Sequence, residues 1–181
     1  MPKLYLMLDF DGVLHSTRYK APRWEHVKAF EDVVREAVNE GQVAIVISST
    51  WRKDARLSEL RKKFSPDIAR SIVGVTPVFK QPGLDSLRTP EQIARAIHDP
   101  SDTHEGVRQR EIEQWIGKSD PGASWLAIDD DRTSFYAPYE NLLYVDGIDG
   151  LRPSHLVELG RRIAAALNDQ PAAAVSPGCS P

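Results

Sequence analysis

Apolar residues fall along the chain in two rhythms. Five short, nearly unbroken runs, Leu4 to Leu8, Val43 to Ile47, Ile72 to Val75, Trp125 to Ile128 and Leu142 to Val145, are rich in Val, Ile, Leu and Tyr. Runs of this length and composition predict strands buried on both faces. Between them the spacing changes to three and four: in Trp24 to Val38 the apolar positions are Val27, Phe30, Val33, Val34, Ala37 and Val38. That period predicts one amphipathic helix, ended by Glu40-Gly41. Further helices are predicted from about Asp54 to Phe64, from Arg108 to Ile116 and from Ser154 to Leu167, and Thr89-Pro90-Glu91-Gln92 is a fitting start for another.

Strands alternating with helices imply a mostly parallel sheet with helices on both faces, joined by right-handed crossovers. The expected fold is therefore α/β, an open Rossmann-like sandwich with a central sheet of about five strands. Residues 1–168 are expected to form one domain. Thr76 to Gly106 breaks the alternation: it holds four prolines and little strand pattern, which suits an elaborated loop at the substrate entrance. Asp169 to Pro181, rich in Ala, Pro and Ser, has little to bury and is expected to be a disordered tail.

Composition narrows the function classes. The 181 residues are 41% hydrophobic and 27% charged, values of a soluble globular chain. With 23 Lys+Arg against 26 Asp+Glu the formal charge is −3, so no global positive field gathers long nucleic acid, and any such contact must be local. No apolar run reaches the roughly 18 residues of a membrane span, and the start MPKLYLMLDF carries charge where a signal peptide needs apolar residues; no membrane partner and a cytoplasmic address are expected. Cys179, the only cysteine, lies in SPGCSP, which excludes an intrachain disulfide and argues against a rigid thiol nucleophile.

In open α/β sheets ligands bind beyond the carboxyl ends of the strands, so the residues just after the apolar runs carry the candidate chemistry. The first run ends in Leu8-Asp9-Phe10-Asp11-Gly12. Asp9 and Asp11, two apart on an extended chain, can face one site, and Gly12 permits a sharp turn. Two close carboxylates repel unless a cation or a shared proton compensates, and Mg²⁺ is the natural remedy; the bland alternative is a plain turn. The second run ends in Ser48-Ser49-Thr50-Trp51-Arg52, where hydroxyls and free backbone N–H groups can hold phosphate or simply cap a helix. The fourth ends in Asp129-Asp130-Asp131, either a hard-cation site or a solvated acidic loop.

Three such ends in this order resemble the haloacid dehalogenase (HAD) superfamily: DFDGVL looks like its first motif, VAIVISS like its second and WLAIDDD like its fourth, over roughly residues 3–147. DFDGVLH, SSTWR, RQREIEQWI and LAIDDD are similar to the HAD domains associated with RNA-repair proteins, and LAIDDD also to the phosphatase domain of polynucleotide kinase-phosphatases. The resemblance implies a Mg²⁺-dependent phosphomonoesterase in which Asp9 attacks phosphorus and becomes an aspartyl-phosphate, while Asp11 protonates the leaving oxygen and later deprotonates water. It further implies that Asp9, the backbone carbonyl of Asp11 and Asp129 hold Mg²⁺, with Asp130 as a further ligand or as a residue that orients the ligands, and that Ser48, with Ser49 or Thr50 as replacements, binds phosphate. The third motif needs a cation; no lysine stands in the matching place, so Arg108 is assigned, with Arg110 as competitor. Gly12, Ser49 and Arg52 are the further expected substrate contacts.

Basic residues gather after the first run (Arg18, Lys20, Arg23, Lys28) and the second (Arg52, Lys53, Arg56, Arg61, Lys62, Lys63), where the early members can meet substrate and the later ones suit a solvated helix face. Trp24 and Trp51 can stack on a base or anchor the following helix, and His15 can touch the leaving group or serve structure. His26, His98, His104 and His155 lack zinc spacing. Only about a dozen residues separate the first motif from its helix, which leaves no room for a large cap domain and implies an open site. A phosphorylated small molecule, a nucleotide or a nucleic-acid end in an RNA-repair context is the expected partner. A non-catalytic phosphate- or protein-binding module and a phosphotransferase are the alternatives.

Overall fold

The computed structural model describes residues 1–79 and 106–168. Five strands, β1 (Leu4–Leu8), β2 (Val43–Ile47), β3 (Ile72–Val75), β4 (Ser124–Asp129) and β5 (Leu142–Tyr144), form one sheet in the order β3-β2-β1-β4-β5, with every pair parallel. The α/β class and the five-stranded parallel sheet are as expected. β1 is central, aligned Leu8 to Ile47 on one side and Leu8 to Ile128 on the other. The chain builds outward from β1 to β3, then returns to the far side of β1 with β4. The direction of building therefore reverses between β1 and β4, and such switch points open a crevice at the carboxyl ends of the strands.

Side-chain alternation sorts the core into two layers. Leu4, Leu6 and Leu8 of β1 pack with Phe30, Val34 and Val38 of α1 (Val27–Asn39), Ile68 of α3 (Pro66–Ser71) and Leu159 and Ile163 of α5 (Pro153–Asn168). Tyr5 and Met7 face the other way, with Val46, Ala127 and Ile112 and Ile116 of α4 (Val107–Ser119). The odd-numbered positions of β1 thus look toward α4, and Asp9 continues that parity. Every residue of β1 and of β2 is buried, the reason these strands read as unbroken apolar runs.

Three boundaries differ from the sequence reading. α1 begins at Val27 rather than Trp24, because Trp24 holds a left-handed φ of 67° that no helix accepts. The expected helix from Asp54 to Phe64 is a 3₁₀ turn, Thr50–Lys53, followed by the short α2 (Leu57–Arg61). Glu59 closes the start of α2 by accepting the Arg56 backbone N–H at 2.9 Å. α3 was not expected at all; Pro66 opens it, and the extended Ser65 before the proline separates it from α2. The possible helix at Thr89, the body of the Thr76 to Gly106 loop and the tail from Asp169 lie outside the described residues. Among the described residues, no helix is long and apolar enough to cross a membrane.

Candidate active site

The ladder continues one step past the strands and carries the polar residues with it. Asp9 N–H donates to Ile128 O at 3.1 Å, Ser48 N–H to Leu8 O at 2.9 Å and Val145 N–H to Asp129 O at 3.0 Å. Asp9 and Asp129 are thereby fixed as neighbours across the β1/β4 switch point, only 6% and 1% exposed. Asp9, Asp129 and Asp130 each place a carboxylate oxygen within 4.8 Å of the other two.

Arg108, buried in the first turn of α4, reaches into this cluster. Its Nη1 lies 3.3 Å from Asp129 Oδ2 and 3.8 Å from Asp9 Oδ1, and also donates to Ser48 O. Residues 108 and 110 are about 200° apart around a helix, so only one of the two expected competitors can face the rim in this way. Asp9 Oδ1 accepts the Phe10 N–H at 2.7 Å, and the Ser49 hydroxyl donates to the same carboxylate.

One cation does not balance three acids in so dry a place. Burial raises Asp9 above the ordinary carboxylate range although Arg108 and Ser49 pull it down. Burial, with repulsion from Asp9, pushes Asp129 up to about 8, and the same two causes bring Asp130 to about 6. Groups held this far from their ordinary state have a strong appetite for positive charge. Three carboxylate oxygens at such spacing fit a hard divalent cation such as Mg²⁺.

The acidic triplet divides its work. Asp129 stands at the rim, and Asp131 caps the 3₁₀ turn Arg132–Ser134 by accepting Thr133 N–H at 3.0 Å and the Ser134 hydroxyl at 2.6 Å. Asp130 lies in a cradle of two glycines: a methyl group added at Gly12 or at Gly147 would overlap its Oδ2. Gly12 also has φ 68°, so its hydrogen side chain serves both the turn and the close approach. Gly147 was missed by the sequence reading; the signal available was a Gly shortly after the fifth apolar run, in Val145-Asp146-Gly147.

Asp11 departs from the cluster. Its Oδ1 meets His15 Nε2 at 2.9 Å and its Oδ2 accepts the Trp51 Nε1–H at 2.8 Å. The carboxylate, half exposed, opens on a cavity of about 480 Å³ whose lining includes Asp9, Asp130, Arg108, Thr50 and Lys53. Of the three hydroxyls after β2, Ser49 meets Asp9 and Thr50 lines the cavity, while the Ser48 hydroxyl is buried without a hydrogen-bond partner and its carbonyl serves Arg52 and Arg108.

Arg52 has a different task from the expected substrate contact. Its five donors meet Thr76 O, Ser48 O, Ser49 O, Pro77 O and the carboxylate of Glu111, and its side chain is 2% exposed. A guanidinium so engaged ties the β2 exit to α4 and has no donor left for a ligand. Glu111, which also accepts Phe79 N–H at 2.9 Å, is the partner the sequence reading overlooked. Among the outer basic residues, Arg18 pairs with Asp149, Arg61 donates to Ile72 O and Arg23 lies 5.7 Å over the Trp51 ring.

Comparison with known proteins adds one finding: the family model described as "HAD domain in Swiss Army Knife RNA repair proteins" matches residues 5–156. No curated protein and no solved structure gives a significant match.

Proposed function

The chain belongs to the HAD domains of Swiss Army Knife RNA repair proteins, and from that membership and the carboxylate rim we propose that it is a Mg²⁺-dependent phosphomonoesterase working through an aspartyl-phosphate. One observation carries the reading: buried Asp9 shares a site with Asp129, Asp130 and Arg108, while Asp11 faces the same cavity from a separate hydrogen-bonded position.

A phosphate in that cavity meets two kinds of group. An Asp9 oxygen attacks phosphorus, and the bond from phosphorus to the leaving oxygen breaks as Asp11 gives that oxygen a proton. Water then attacks the phosphorylated Asp9, Asp11 takes its proton, and inorganic phosphate leaves with Asp9 restored. Arg108 holds positive charge against the phosphoryl oxygens, the Ser49 hydroxyl steadies the Asp9 carboxylate, and Thr50 lines the cavity beside them. A Mg²⁺ held by Asp9, Asp129, Asp130 and the Asp11 carbonyl would supply the charge that lets an anion approach an anionic nucleophile.

The substrate we propose is a phosphorylated nucleotide or polynucleotide end, in keeping with the RNA-repair setting named for the family. Release of inorganic phosphate from an aryl phosphate, and from an RNA oligonucleotide with a terminal phosphate, is expected with Mg²⁺ present and not after chelation. The Asp9→Asn variant is expected to release none, and undiminished turnover by it would remove Asp9 as nucleophile.

A further inference from the structure

The geometry points to Trp51 and His15 as positioning residues that hold Asp11 as the proton donor and acceptor of the reaction, an inference that rests on the phosphomonoesterase reading above. Each Asp11 oxygen has its own partner: Trp51 Nε1–H on Oδ2 at 2.8 Å and His15 Nε2 on Oδ1 at 2.9 Å. The two partners arrive from different loops, His15 from the turn after β1 and Trp51 from the 3₁₀ turn after β2. Together they fix the carboxylate in two directions, and it stands outside the group of Asp9, Asp129 and Asp130 oxygens.

Both rings are themselves locked. His15 is 7% exposed and packs edge-on against Trp24 at 5.0 Å; Trp24 meets Trp51 at 5.1 Å and Phe10 at 5.3 Å. Phe10 lies between Asp9 and Asp11 in sequence, so the aromatic cluster ties the orientation of the clamp to the loop that carries both acids. An indole N–H only donates. The Oδ2 lone pair that it meets is closed to a transferable proton, which leaves the remaining lone pairs of Asp11, a residue that lines the cavity, for proton exchange.

His15 Nδ1 is buried with no hydrogen-bond partner. A proton there would be buried without an acceptor, so the ring carries its proton on Nε2 and donates to Asp11. The clamp therefore consists of two donors from two loops on one carboxylate. Holding an acid within reach of the leaving oxygen is worth most where the leaving group is a poor one, since a stable leaving anion departs without a proton.

The test compares two leaving groups. First-turnover release of 4-nitrophenolate from 4-nitrophenyl phosphate and of nucleoside from a nucleoside monophosphate is measured with Mg²⁺ for wild type, Trp51→Phe, His15→Gln and His15→Leu. Trp51→Phe keeps an aromatic ring in the cluster and deletes the donor. Its nucleoside release is expected to fall by on the order of 10²-fold, the scale of general acid catalysis, with KM little changed and nitrophenolate release falling at least tenfold less. His15→Leu is expected to show the same asymmetry, and His15→Gln, which still offers an N–H, to recover most of it. Equal losses on both esters, or no loss on either, would overturn the positioning role in whichever variant folds. A wild-type protein inactive on both esters would instead overturn the phosphomonoesterase reading beneath it.

Discussion

Arg108 Nη1 stands 3.3 Å from Asp129 Oδ2, an ion pair between the first turn of α4 and the last residue of β4 in which both side chains are nearly inaccessible. The guanidinium is the one cation that the described ion pairs give the carboxylate rim, and it also reaches Asp9. Substituting a buried partner of this kind leaves the opposite charge stranded. Arg108→Ala is expected to cost about 3 kcal/mol of unfolding free energy near pH 8, and clearly less near pH 5, where Asp129 carries a proton. It is also expected to reduce kcat/KM far more than Arg110→Ala. Urea unfolding at the two pH values and steady-state kinetics of both variants check this, and equal kinetic losses would remove the special place given to Arg108.

The raised carboxyl of Asp129 makes stability depend on pH with a definite sign. In the unfolded chain an Asp titrates near about 4, and in the fold near about 8. Between those values the folded protein keeps a proton that the unfolded chain has lost, so this contribution is complete below about pH 4 and is lost as pH rises toward 8, at roughly 1.4 kcal/mol per pH unit for one such group. Asp130, raised to about 6, acts in the same direction at the lower end of the window. Without divalent cation the melting temperature should fall from pH 5 to pH 8. A Mg²⁺ held by the ionised rim would add a stabilising shift that grows over the same range, and thermal melts showing one shift at every pH would count against a carboxylate site.

Gly147 and Gly12 both border Asp130 but should fail differently. At Gly147 the three atoms nearest an added methyl all belong to the Asp130 side chain, whose carboxylate can rotate aside. Gly147→Ala should therefore keep the fold and weaken Mg²⁺ affinity, on the order of 10-fold to 100-fold as for a displaced ligand or its support. At Gly12 a methyl also meets the Gly147 backbone, and φ is 68°. Gly12→Ala should in addition destabilise the chain by at least about 1 kcal/mol. Calorimetric Mg²⁺ titration beside thermal unfolding separates the two, and wild-type affinity in Gly147→Ala would show that Asp130 does not contribute to the ion.

Arg52 joins the β2 exit to Glu111 of α4 through a network of bonds in which both side chains are nearly inaccessible at the wall of the cavity. Arg52→Ala would strand the Glu111 carboxylate, and a loss of about 3–5 kcal/mol is expected. Arg52→Lys should recover little, because an ammonium cannot span four carbonyls and a carboxylate in a plane. Chemical denaturation is the measurement; an Arg52→Ala protein as stable as wild type would return Arg52 to the substrate contacts.

Much of this site is legible along the chain because local rules place it. A short apolar run rich in β-branched residues reads as a buried strand, and acids directly after two such runs emerge at the carboxyl edge once both lie parallel in one sheet, which is how Asp9 and Asp129 were legible. The start of α1 was less legible, since nothing in the spacing of Val27 and Phe30 shows that Trp24 turns left-handed to reach His15 and Trp51.

What only the tertiary structure decided are the meetings between segments far apart in sequence. The rotation of α4 selects Arg108 as the cation between Asp9 and Asp129. The closure of the β2 exit over α4 spends Arg52 on Glu111 and sets Ser49 rather than Ser48 against Asp9. The cradle of Gly12 and Gly147 and the two donors on Asp11 likewise join loops that follow different strands. Periodicity states which face of an element is apolar; it carries no term for how far an element turns or slides when its face is buried, and hydrogen-bond partners are chosen by those ångströms.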